Sequence, residues 1–286
     1  MVPLNVLNFS LFDTSIYYRD KYVEFPLNPN GQAMTEEAFD IRLGYRAYHD
    51  NCRRSFQRHA AARKSELEGL GVEMASIFSG DECRIIREQM DANLSRDGSL
   101  YGNEFKKNLL HRVFNKHVDA IITGYFESEY YATWYSFDRN DPGDIPVKSF
   151  FWHCDGGPTK HLKVLLYLSD SGEKSGNTEF LDPVTTARFK ELGYVFSKVD
   201  DRVMDLKPLA DNYGIPFLPF QFPMKAGNAV IFNPMTNLHH GIQPTEHVRY
   251  IMQMCIIPAG NSWEATWDAG LRSDQISAWP AMPTNP

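Results

Sequence analysis

Excess basic charge, paired cysteines and long apolar runs are all missing from this 286-residue sequence. Lysine and arginine number 29 against 36 aspartates and glutamates, a formal net charge of −7. Binding to a phosphate backbone draws its affinity from basic patches, so nucleic acid is not an expected partner. The four cysteines, Cys52, Cys83, Cys154 and Cys255, are scattered and show no CxxC spacing. That excludes a disulfide scaffold and leaves reduced thiols in a cytoplasmic protein as the expectation. No apolar run approaches the ~18 residues of a membrane span. The opening MVPLNVLNFSLFDTSIYYRD has neither the basic start nor the continuous apolar stretch of a secretory leader. No internal repeat or low-complexity segment is visible, and Gly (19) and Pro (17) are present in ordinary shares.

What is present is a globular balance, 43% hydrophobic and 23% charged, long enough to bury a sizeable core. The length allows one large domain or two modest ones, but no linker separates two halves. One domain over residues 1–286 is expected, with a helical N-terminal part (1–129), a β core (130–258) and a tail (259–286). Residues 1–30 read as irregular and extended. From Met34 to about Gly71 the chain is free of proline and dense in charge of both signs, which predicts helix, with Thr35 able to cap it. Its basic cluster from Arg53 to Lys64 reads as a solvated face. Ser79-Gly80-Asp81-Glu82 has the spacing of a capping box and opens a second helix. A third helix is predicted from about Glu104 to Phe126, where Leu109, Leu110, Val113, Phe114, Val118, Ile121 and Ile122 recur at helical spacing.

From Tyr130 the texture changes. YYATWYSF, VKSFFWH, HLKVLLYL, NTEFL, NAVIFN and VRYIMQMCII are short β-branched and aromatic runs divided by turn residues. They predict a mainly β architecture, a barrel or sandwich supported by the N-terminal helices. Residues Pro183 to Pro223 read as a partly helical insertion over one end. In the tail, Trp263, Trp267 and Trp279 are able to dock against the rest.

Three features carry chemistry. If FFWHCD is a strand, His153 and Asp155 share a face, because side chains alternate along a strand. An imidazole and a carboxylate so placed can bind one metal ion, although H-x-D alone is a common chance pair. Much later comes Leu238-His239-His240-Gly241. Adjacent strand residues point to opposite faces, so at most one of the two histidines joins His153 and Asp155. Two His and one carboxylate form the facial triad that holds Fe(II) with positions left open. Third, Arg249 stands ten residues after His239 and nine after His240, at the head of an apolar strand. An arginine there requires either a solvent route or a buried anion, and its planar fork suits a carboxylate. Gln253 shares its face.

These residues resemble the Fe(II)- and 2-oxoglutarate-dependent oxygenases. The pattern is H-x-D, a distal His, then an Arg about ten residues on. The stretch His161 to Asp170, HLKVLLYLSD, with the following SGEKSGNTEFLD, is similar to the phytanoyl-CoA-dioxygenase-like branch. The resemblance covers about Tyr130 to Pro258 and not the first seventy residues. It implies a double-stranded β-helix core of the jelly-roll or cupin type. It implies His153, Asp155 and His239 as iron ligands, with His240 the alternative distal ligand. It also implies that Arg249 binds the distal carboxylate of 2-oxoglutarate, that Tyr167 lines that pocket, and that Lys163 reaches the cofactor carboxylates or the substrate. The implied reaction uses Fe(II), 2-oxoglutarate and O2 to hydroxylate a small molecule, releasing succinate and CO2. Halogenating relatives replace the carboxylate ligand with a small residue. Asp155 therefore points to hydroxylation, or to a related desaturation or cyclisation. Two other readings stay open: a cupin-like metalloenzyme that needs no 2-oxoglutarate, and a non-catalytic β-barrel binding protein. Specificity is expected in residues 1–75 and 183–223, and no substrate can be read from them.

Overall fold

The computed structural model describes residues 43–57, 67, 69–93, 103–144, 148–155, 160–192, 194 and 202–268. The expectations for residues 1–30, the Thr35 cap and Trp279 fall outside them.

Two antiparallel sheets form the centre. The larger has the order β1 (Val72–Ser76), β6 (Asn228–Phe232), β3 (Leu162–Tyr167), β8 (Arg249–Ala259), β2 (Glu129–Asn140). The smaller has the order β5 (Phe220–Gln221), β4 (Asn177–Phe180), β7 (His239–Ile242). The period-two alternation of strand side chains gives the larger sheet two different faces. On β3, Val164 and Leu166 point outward into a core shared with Tyr135, Phe137, Ile231, Met252 and Met254. Leu165 and Tyr167 point inward with Val230, Phe232 and Ile251, and pack on Phe180 of the smaller sheet. Burial on both faces is why HLKVLLYL reads as nearly continuous apolar sequence. The strands expected in YYATWYSF, HLKVLLYL, NTEFL, NAVIFN and VRYIMQMCII are all present.

Helices cover the outer face. α1 spans Leu43–Ser55, α2 Gly80–Asn93, α3 Asn103–Val113 and α4 Lys116–Phe126. The capping box forms as expected: Ser79 N donates to Glu82 Oε2 at 2.8 Å, and Glu82 N donates to Ser79 Oγ at 3.3 Å. The single helix expected from Glu104 to Phe126 is instead two. Asn115 takes extended backbone (φ −61°, ψ 167°), and its side chain accepts from His117 N and Val118 N. It thereby satisfies two of the N–H donors that a new helix start would leave without partners. The apolar stripe continues across this break, with Leu109, Leu110, Val113, Phe114, Val118, Ile121 and Ile122 all buried. Helix α1 leaves Phe56 and Gln57 outside it, so the long helix expected to Gly71 is helical over a shorter span among the described residues. The N-terminal part is also not purely helical, because β1 lies within it as the edge strand beside β6.

The 183–223 region carries α5 (Pro183–Glu191), α6 (Lys207–Tyr213) and β5. Its Phe189, Leu206 and Ala210 pack on Trp152, Met235 and Leu238. In the tail, α7 (Trp263–Asp268) buries Trp263 and Trp267, and Trp263 lies 4.6 Å from the His111 ring and 5.5 Å from Phe114. The four cysteines are buried and form no disulfide. No described helix is long and apolar enough to cross a membrane.

Loss of the Asn115 cap should be measurable. Asn115→Ala is expected to lower stability by about 1 kcal/mol in urea unfolding, while Asn115→Ser keeps most of it. An unchanged midpoint for Asn115→Ala would show that packing alone sets the α3–α4 break.

Candidate active site

The expected FFWHCD strand does not form. Lys148–Phe150 is a 3-10 turn, and His153 makes one isolated antiparallel bridge to His239. The bridge consists of reciprocal backbone bonds, His153 N to His239 O and His239 N to His153 O, each 3.0 Å. His239 also pairs with Phe180 as the first residue of β7. Two distant segments are thus placed side by side, and the imidazole centroids lie 4.4 Å apart.

The orientation of each ring follows from a bond to the chain just before it. His153 Nδ1 lies 2.6 Å from Phe151 O, and His239 Nδ1 lies 2.9 Å from Asn237 O. A carbonyl oxygen only accepts, so Nδ1 carries the proton in both rings and Nε2 presents a lone pair. Burial holds both imidazoles below their ordinary pKa, His239 well below, with His153 adding to the effect there. Both are therefore neutral at neutral pH. His239 Nε2 is buried without a hydrogen-bond partner. A buried polar atom without a partner is uncommon, and a ring held through Nδ1 with Nε2 vacant is the form in which histidine binds metal.

Asp155 completes the group. Its Oδ1 lies 3.3 Å from His153 Nε2 and 4.0 Å from His239 Nε2. Its Oδ2 accepts from Lys163 Nζ at 2.6 Å. Burial alone would raise its pKa; the Lys163 ammonium, His153 and His239 together outweigh burial and hold the carboxyl well below the usual range. Donor atoms of His153, Asp155 and His239 all lie within 4.8 Å of one another. Bonds of about 2.1 Å at right angles would space such donors about 3 Å apart, so this set fits a metal ion with little rearrangement. His240 stands apart from it. Its Nε2 lies 3.0 Å from Glu179 Oε2, its Nδ1 lies 3.3 Å from Phe150 O, and its ring packs 4.2 Å from Trp152.

Arg249 opens β8 and is only 5% exposed. Its Nη2 donates to Thr178 Oγ1 at 2.9 Å, while its Nε has no partner. It makes no ion pair among the described residues. A buried guanidinium without a counter-ion is unfavourable by several kcal/mol, so the position calls for an anion. A cavity of about 160 Å³ supplies the space, and its lining includes His153, His239 and Lys163 together with Arg249 and Thr178.

Tyr167 sits differently from the expectation and does not line this cavity. It is 1% exposed in the layer between the sheets, with its ring centroid 5.4 Å from the Arg249 guanidinium. Its hydroxyl donates to Asn177 Oδ1 at 3.1 Å and lies 3.0 Å from Thr178 Oγ1. Tyr167 therefore backs Arg249 instead of facing a ligand. Lys163 does line the cavity, paired to Asp155. Thr178 was not singled out from sequence, nor were Asp138 and Asn140 on the cavity wall. Alternation on β2 could have found the last two, since Asn140 pairs with Arg249 and Asp138 with Ile251. Gln253 faces the cavity as its position relative to Arg249 implies, and donates to Asp138 Oδ2 at 2.7 Å.

No protein-family model matches the chain, and no curated protein matches it by sequence. Solved structures do match. EctD from S. alaskensis with bound Fe superposes at TM-score 0.51 and 15% identity, covering 71% of this chain and 79% of that one. HygX from Streptomyces hygroscopicus, with nickel and 2-oxoglutarate bound, gives TM-score 0.45 and 16% identity over 71% of this chain and 89% of that one. The non-heme alpha-ketoglutarate-dependent epimerase SnoN from nogalamycin biosynthesis gives 0.44 and 12% over 75% and 84%. The EctD match establishes a shared fold.

The Thr178 contact can be tested without any ligand. Thr178→Val leaves a buried guanidinium N–H unpaired and should destabilise by roughly 2 kcal/mol in urea unfolding, whereas Thr178→Ser should stay near wild type. Equal stability of the valine variant would mean that Arg249 does not depend on this contact.

Proposed function

We propose that the chain is an Fe(II)- and 2-oxoglutarate-dependent dioxygenase, a single domain whose two sheets are the halves of a jelly-roll double-stranded β-helix. His153, Asp155 and His239 would hold the iron, and Arg249 the distal carboxylate of 2-oxoglutarate. With O2, the loaded centre would supply the oxidising equivalents that hydroxylate an unactivated C–H of a small molecule, converting 2-oxoglutarate to succinate and CO2. The two imidazoles would bind through Nε2, each kept in that tautomer by its carbonyl. Thr178 and Tyr167 would aim the Arg249 fork into the cavity. The surrounding apolar layer would exclude bulk water and strengthen the Arg249–carboxylate contact.

One observation carries the reading: a buried arginine without a counter-ion among the described residues shares a cavity with a His/Asp/His cluster. A cupin-like metalloenzyme would use the cluster and leave Arg249 without a purpose. A binding protein without metal would leave His239 Nε2 unexplained as well. Asp155 occupies the carboxylate position, which favours hydroxylation or a related oxidation over halogenation.

His153→Ala, Asp155→Ala and His239→Ala should each abolish Fe(II) binding in anaerobic calorimetry, and His240→Ala should retain it. Loss in His240→Ala with retention in His239→Ala would transfer the distal position. Arg249→Ala should bind iron normally yet weaken 2-oxoglutarate at least a hundredfold, because breaking a buried pair is worth ~3–5 kcal/mol and ~1.4 kcal/mol is tenfold. Arg249→Lys should rescue in part, having charge without the fork. Titration of the visible charge-transfer band of the anaerobic Fe(II)–2-oxoglutarate complex reads both. An unchanged curve for Arg249→Ala would favour the cupin-like alternative.

A further inference from the structure

We propose that Lys163 is a positioning residue for the metal centre, occupying Asp155 Oδ2 so that the carboxylate can coordinate through Oδ1 alone. The inference rests on the iron-centre reading above and deepens it.

Asp155 lies outside any strand. Its backbone N–H donates to Pro234 O at 3.0 Å, which fixes the main chain but leaves the side-chain torsions to be set by other contacts. Lys163 Nζ lies 2.6 Å from Oδ2, a short charge-assisted bond. With that oxygen held, Oδ1 is the one turned toward His153 Nε2 and His239 Nε2.

The base of this contact is rigid. Lys163 is on β3, paired with Phe232 of β6 on one side and Cys255 of β8 on the other. Its side chain is 12% exposed, so water competes little for the ammonium. A carboxylate partner carried on a central strand is the kind of support that keeps a ligand in place.

The consequence is a count of coordination positions. In a six-coordinate site, two histidines and a carboxylate bound through both oxygens fill four positions. A chelating 2-oxo acid would then fill the last two and leave none for O2. Binding through one oxygen leaves three positions, enough for both. Lys163 thus protects the open position. This differs from a direct contact between Lys163 and the 2-oxoglutarate carboxylates. Its ammonium is already on Asp155, while Arg249 is the buried cation that lacks an ion-pair partner among the described residues and has the fork geometry for a carboxylate.

The test measures Mn(II) affinity by calorimetry without 2-oxoglutarate, in wild type, Lys163→Met and Lys163→Arg, with metal-free folding checked by circular dichroism. Outer partners of metal ligands are typically worth 10–100-fold in affinity, so Lys163→Met should weaken Mn(II) by about that factor. Lys163→Arg, which can still donate to Oδ2, should recover most of it. If Lys163→Met is misfolded without metal, Lys163→Leu, which likewise has no donor for Oδ2, takes its place and should show the same loss. Wild-type Mn(II) affinity in the neutral variant, or equal losses in the neutral and arginine variants, would overturn the proposal. Absence of Mn(II) binding by wild type would instead overturn the metal-centre reading itself.

Discussion

The pair of backbone hydrogen bonds between His153 and His239 sets the geometry on which the candidate site depends. Each is an ordinary 3.0 Å contact worth about 1 kcal/mol net. Their effect is geometric. They bring a segment without regular strand structure beside the head of β7, and β7 is itself held in register by β4. Once the two main chains are so placed, each ring is turned by the carbonyl two residues before it. Two Nε2 lone pairs then face the same small volume. Shifting the bridge by one residue would present His240, whose nitrogens already face Glu179 and Phe150, in place of His239.

Charge organises the rest of the cavity. Two of the described residues that line it, Lys163 and Arg249, are buried or nearly buried cations, and they are treated differently. Lys163 is paired at 2.6 Å with Asp155, so its charge is neutralised within the protein. Arg249 is supported by a neutral hydroxyl and an aromatic ring, neither of which neutralises it. A fold tolerates such a cost where an anion binds. The layer of Tyr167, Phe180, Phe232 and Ile251 that gives the two sheets their common core includes the ring that backs Arg249.

The strands of the larger sheet beyond Tyr130 were legible because β-branched and aromatic runs ended at turn residues, and the Ser79–Glu82 cap because its spacing is local. The H-x-D, the distal histidine and Arg249 were visible as residue types, and their convergence follows the resemblance. Other features were not legible, for identifiable reasons. β1 is a five-residue edge strand, VEMAS, whose mixed polarity carries no clear alternation. The Asn115 break is hidden because the apolar stripe runs on through it. His153 and Asp155 converge through a single bridge and a contact to Lys163, not through strand alternation, so the expected pairing arises by a different route. Thr178 and the backing role of Tyr167 depend on how the two sheets face each other, which no local pattern encodes.

Anomalous diffraction from crystals soaked anaerobically with Mn(II) and 2-oxoglutarate tests the central claim most directly. The account predicts one metal peak bonded to His153 Nε2, His239 Nε2 and Asp155 Oδ1, with Oδ2 still on Lys163 and a carboxylate on Arg249. A peak between His240 and Glu179, or a cavity without metal at saturating Mn(II), would contradict it.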